Sequence, residues 1–136
     1  MLQKFSWLLA IVFIVVGVLG FVPGVTTSGY FLGIFEVDTL HNIIHLVSGL
    51  AFLWAAVSAE KTARMVFQVF GVVYAAVAVV GLIQGGTVLG LISTNMADHI
   101  LHAVLAVVIL YVGFGMKGEK KMMDTPSAPP SGTPTI

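Results

Sequence analysis

Residues 38–50 read DTLHNIIHLVSGL and residues 95–107 read NMADHILHAVLAV, and together they hold all four histidines of the chain. Imidazole can ligate a metal, carry a proton near neutral pH, or hydrogen-bond between helices. His41 and His45 are four residues apart, and His99 and His102 three apart, so each pair shares a helix face. His45 and His102, on separate helices, have the disposition of axial ligands to a haem-like tetrapyrrole. His41, His45, His99 and His102, joined by Asp98, offer the nitrogen and oxygen donors that suit a divalent zinc, copper or nickel ion. An outer-face proton sensor or carrier is a third chemistry, because an unperturbed imidazole titrates near about 6.5. The plainest reading is structural. Asn42, His45, His99 and His102 then form a polar layer bridging the second and fourth helices, each hydrogen bond worth ~0.6 kcal/mol. His41 and Asp98 would lie one layer nearer the surface.

The elements that must position these groups are apolar. The chain has 136 residues, 58% hydrophobic and 9% charged, with mean hydropathy +1.05. A soluble domain carries roughly 25% charged residues, so this chain cannot cover an aqueous surface. Four segments, about 5–22, 40–58, 63–84 and 97–115, each approach the ~20 residues that a helix needs to cross a ~30 Å hydrocarbon core. Their apolar runs are continuous and do not alternate, which favours helices over a transmembrane β-barrel. The expected fold is an all-α membrane protein, a four-transmembrane-helix bundle. The first segment resembles a signal peptide but lacks an A-x-A cleavage site, and it is read as retained.

Several functions are excluded or disfavoured. Zero net charge argues against a nucleic-acid partner. The absence of cysteine removes disulfides, thiolate ligands and cysteine nucleophiles. There is no G-x-S-x-G, H-E-x-x-H or phosphate loop, so no catalytic residue is assigned and a non-enzymatic role is expected. Ser48 and Ser58 read as hydroxyls back-bonded to their own helices.

The two histidine stretches are copies. Residues 30–56 align with 87–113 at an offset of 57, bringing His45 onto His102, Asn42 onto His99 and His41 onto Asp98. Val18–Gly24 matches Val79–Gly85 at an offset of 61, so a helical hairpin is used twice, as a parallel 2+2 repeat. Asp38 and Asn95 are matched N-cap residues, and Asp98 favours the helix dipole behind Asn95. The small, matched Gly49 and Ala106 would let the second and fourth helices approach closely. The hydrophobic loops at 29–35 and 87–92 read as interfacial or re-entrant pieces that lid the outer end.

All six basic residues lie on one side of the bundle: Lys4, Lys61, Arg64, Lys117, Lys120 and Lys121. The positive-inside rule places both termini in the cytoplasm, with the histidines near the outer face. Residues 117–136 hold four of the five prolines and read as a disordered cytoplasmic tail. Such a small bundle, exposed to the lipid bilayer all round, suggests a homo-oligomer or an accessory subunit of a larger membrane complex.

Phe21-Val22-Pro23-Gly24, Leu32-Gly33-Ile34-Phe35 before Asp38, His41-Asn42-x-x-His45 and Asp98-His99-x-x-His102 together resemble a family of small four-helix bacterial integral membrane proteins known only as a domain of unknown function. The resemblance covers roughly residues 5–115. Its pattern has a glycine four residues after the histidine in both copies; Gly49 fits and Ala106 departs. It implies a bacterial inner-membrane bundle and no activity.

Overall fold

Four helices build the protein in this computed structural model, which describes residues 1–118. They are α1 (Leu2–Leu19), α2 (Thr39–Val57), α3 (Glu60–Gln84) and α4 (Met96–Leu110), the last continued by a π-helical turn at Tyr111–Gly115. All four are long and apolar enough to cross a membrane, α4 when taken together with its π turn. The protein is therefore a multi-pass helical membrane bundle. Most of the expected proline-rich tail, from residue 119 onward, lies outside the described residues.

The helix limits follow local chemistry. α1 stops at Leu19, earlier than expected, as the chain turns through Gly20 to Gly24 around Pro23, which cannot donate to a helical ladder. α3 starts at Glu60, earlier than expected, because an acid in the first turn complements the helix dipole.

Packing is strongest within each hairpin, α1 along α2 and α3 along α4, and it depends on glycine. Gly17 lies against Leu46, Gly71 against Leu110, and Gly113 against the backbone of Phe67 and Gln68. Gly49 faces Ile14 and Ala10 of α1. This corrects the expected role of Gly49 and Ala106: they do not bring α2 and α4 together, and the backbones of those helices hardly approach one another. Side-chain rings fill the bundle centre instead. Phe13 stacks on Phe52 at 5.7 Å between centroids, and Phe52 meets Phe67 edge-on at 5.2 Å.

The outward residues are apolar, among them Ile11, Val47, Val72, Ile83 and Val104. That coat suits hydrocarbon, where the helical backbone satisfies its own polar groups. At the end where α1 begins and the π turn closes α4, the Arg64 guanidinium donates to the carbonyls of Gly113 at 3.2 Å and Met116 at 2.6 Å, and Gln68 donates to Gly113 at 3.1 Å. These bonds satisfy carbonyls that a helix C-terminus leaves open.

The opposite end carries the loops. They are small antiparallel sheets instead of re-entrant pieces: β1 (Thr26–Thr27), β2 (Tyr30–Phe31) and β3 (Phe35–Glu36) in one, β4 (Thr87–Val88) and β5 (Ile92–Ser93) in the other. Tyr30 pairs with Glu36, and Thr87 with Ser93, the same register at the same offset of 57. Each tip reverses through Leu-Gly with positive φ, 53° and 71° at Leu32-Gly33, 54° and 68° at Leu89-Gly90. Strand pairing satisfies backbone groups near the apolar boundary, which a bare hydrophobic loop would not.

Gly49→Val should lower stability in detergent by ~1–3 kcal/mol through overpacking, since a Cβ there would lie 2.6 Å from Ile14 Cγ1. Thermal unfolding read by circular dichroism checks this, with Leu50→Val on the lipid face as the neutral control.

Candidate functional site

The site is assembled at the hairpin end by the two helix starts. Asp38 caps α2, its Oδ1 accepting from the His41 amide at 2.8 Å. Asn95 caps α4 in a reciprocal box: its side chain accepts from the Asp98 amide at 3.1 Å, and Asp98 accepts from the Asn95 amide at 2.9 Å. Both expected caps are therefore present.

The same two carboxylates also reach across the molecule. Asp38 Oδ2 accepts from the Ser93 amide of β5 at 2.6 Å, and Asp98 Oδ2 accepts from the Glu36 amide of β3 at 3.1 Å. Glu36 and Ser93 are equivalent at the offset of 57, so each half secures the other half's hairpin. Asn95 adds a bond to the Ile34 carbonyl at 2.8 Å. Burial alone would push the Asp38 carboxyl up, but the Ser93 and His41 amides, aided by the His41 ring, hold it below the ordinary carboxylate range.

Within this brace three histidines converge. His41, His45 and His102 are buried, and one ring nitrogen from each lies within 4.8 Å of the other two. The rings meet with centroids 4.8 Å apart for His41 and His45, 5.7 Å for His41 and His102, and 6.2 Å for His45 and His102. His41 Nδ1 lies 3.0 Å from the Ser93 carbonyl, which can only accept, so this nitrogen carries a proton. In the neutral ring Nε2 is then left with its lone pair. His41 Nε2, His45 Nδ1 and His102 Nδ1 are buried without a hydrogen-bond partner among the described residues.

Two expected members are elsewhere. Asn42 packs on Gly20, and His99 on Gly81, each facing the other helix of its own hairpin. His99 Nε2 donates to the Gly85 carbonyl at 2.7 Å. The expected layer of Asn42, His45, His99 and His102 is thus replaced by His41, His45 and His102. The physical reason is helical phase. Residues three apart differ by about 60° around the axis, enough to turn Asn42 and His99 toward α1 and α3 while His45 and His102 face the bundle centre. Asp98 is near the cluster but spends its carboxylate on the brace.

Beside the trio lies a cavity of about 290 Å³ between α2 and α3. All three histidines line it, with Ser48, Tyr74, Thr94 and apolar side chains of both helices. Ser48 Oγ lies 2.9 Å from Tyr74 OH, joining α2 to α3; back-bonding, expected for both serines, holds only for Ser58, whose hydroxyl donates to Trp54 at 2.7 Å. Tyr74 and Thr94 were not singled out from sequence. A tyrosine in mid-span, whose hydroxyl must find a partner in hydrocarbon, was the available signal for the first; Thr94, one residue before a cap, offered none.

A family profile described as a domain of unknown function (DUF4383) matches residues 3–115. The chain belongs to this family. No curated protein and no solved structure matches the chain.

Asp38→Ala should cost about 1–2 kcal/mol for the cap alone and loosen β5. Because the folded carboxyl titrates below its unfolded value of about 3.9, its contribution is complete above that pH and is lost as pH falls through the lowered folded value. Chemical unfolding at successive pH values should show this acid loss in the wild type and not in Asp38→Asn.

Proposed function

We propose that the protein binds one divalent transition-metal ion through His41, His45 and His102, as a non-catalytic, metal-binding subunit of a bacterial inner membrane. The observation that carries this reading is the convergence of three buried ring nitrogens within 4.8 Å. A tetrahedral zinc site, with Zn–N near 2.0–2.1 Å, needs nitrogens roughly 3.3 Å apart, so the rings must draw in by up to about 1.5 Å from the 4.8 Å limit. The His41–Ser93 bond supports the same reading. Metal-bound histidines almost always donate their second ring N–H to a carbonyl or carboxylate, which sets the tautomer. Three protein ligands leave a fourth position, and the cavity lies beside it.

The arrangement favours an ion over a tetrapyrrole between His45 and His102. The His41 ring, 4.8 Å from one and 5.7 Å from the other, occupies the region a macrocycle would fill, and Tyr74 packs on His102 at 5.7 Å. A role as a structural or accessory subunit is compatible with the ion, because the apolar coat serves lipid and protein neighbours alike.

Chelator-stripped protein in mild detergent, titrated with Co²⁺, should take up one equivalent and develop the visible bands of a tetrahedral site. His41→Ala, His45→Ala and His102→Ala should each weaken uptake at least tenfold, whereas His99→Ala should not. Equal uptake by wild type and the triple variant would overturn the reading.

Both termini are proposed to be cytoplasmic, from the one-sided basic residues. The chain has no cysteine, so single-cysteine variants report cleanly. Leu89→Cys should react with an impermeant maleimide added outside intact spheroplasts, and Lys117→Cys only after lysis.

A further inference from the structure

We propose that the cavity beside the histidines binds a neutral, lipid-soluble alcohol or phenol, which arrives sideways from the bilayer between α2 and α3. This goes beyond metal binding and does not rest on it: the ligand occupies the metal-free protein and competes with the ion for His41 Nε2.

The mouth decides the source of the ligand. Val47 and Val73 line the cavity and are 57% and 48% exposed on the flank of the bundle. That flank faces hydrocarbon in a spanning bundle, so a molecule dissolved in lipid reaches the opening without crossing water. The walls beyond it are apolar, Phe70 and Val77 among them. A volume of about 290 Å³ suits a small head with a few carbons, with the remaining chain lying out in the bilayer.

The deep side decides the head group. Thr94 is 1% exposed, and its Oγ1 has no hydrogen-bond partner among the described residues. His41 Nε2 is likewise unpartnered and holds a lone pair while the ring donates through Nδ1 to Ser93. A threonine hydroxyl can donate, and a lone-pair nitrogen can only accept. A ligand hydroxyl answers both, accepting from Thr94 and donating to His41. A hydrocarbon would answer neither. A carboxylate or an ammonium would enter without a counter-charge, since no Asp, Glu, Lys or Arg lines the cavity.

The test uses metal-stripped protein in lipid nanodiscs and a ten-carbon primary alcohol carrying a mid-chain diazirine. After illumination, labelled residues are mapped by mass spectrometry. Labelling of residues 44–48 and 70–77 should saturate and be competed by 1-decanol. Thr94→Val should weaken it about tenfold, the loss of one hydrogen bond. Val73→Trp should block it at the mouth, and the diazirine alkane lacking the hydroxyl should not saturate. Even, non-saturating labelling of all lipid-facing residues would overturn the proposal, leaving water or lipid chains as the occupant. So would labelling unchanged by both substitutions. Because no metal is present, this result is separate from Co²⁺ uptake, and thermal unfolding read by circular dichroism verifies that the Val73→Trp variant is folded.

Discussion

At the hairpin end, the chain's two halves exchange hydrogen bonds, and the site depends on that exchange. Asp38, at the start of α2, holds the Ser93 amide of the second hairpin, and Asp98, at the start of α4, holds the Glu36 amide of the first. Each carboxylate also serves its own helix start, so one group satisfies orphan amides in two elements. Charge-assisted bonds of this kind are the stronger sort. They matter here because the backbones of α2 and α4 scarcely touch. Without the brace, little beyond side-chain rings would set the distance between His41 and His102.

The brace and the glycines divide the work of assembly. Gly17, Gly49, Gly71 and Gly113 allow close contact inside each hairpin, α1 to α2 and α3 to α4. Between hairpins there is no such seam. The join is made by bulk instead, with Phe13, Phe52 and Phe67 below and the histidines above. A bundle built this way leaves gaps where rings do not fill, and the cavity between α2 and α3 is one of them. The Ser48–Tyr74 bond borders it and ties the two helices across the gap.

A polar cluster in hydrocarbon must be satisfied or used. Asn42 and His99 answer the first demand in part: His99 donates to Gly85, and both pack tightly on a glycine of the neighbouring helix. His41, His45 and His102 retain unpartnered nitrogens at one place, with Thr94 adding an unpartnered hydroxyl. Groups of this type cost free energy when left alone. Their shared address beside an opening on the flank of the bundle is the observation on which the proposed ligand binding rests.

Sequence alone determined the four spans and the caps at Asp38 and Asn95, because each is encoded locally. Hydropathy acts over some twenty residues, and a cap acts over three. Even the equivalence of the two hairpin tips was legible, as Leu32-Gly33 and Leu89-Gly90 occupy matching positions. Which histidines meet was not legible. Spacing along a helix shows that His99 and His102 lie on neighbouring faces, but a rotation of some 60° separates a centre-facing ring from one turned to α3. That choice was made by where the partner helices stand, and they stand where glycine contacts within hairpins and the carboxylate exchange between hairpins place them. Tyr74 and Thr94 entered the site for the same reason: α3 and the link between β5 and α4 bring them beside the histidines, and although a mid-span tyrosine signalled a buried partner, nothing local named the histidine site as the place.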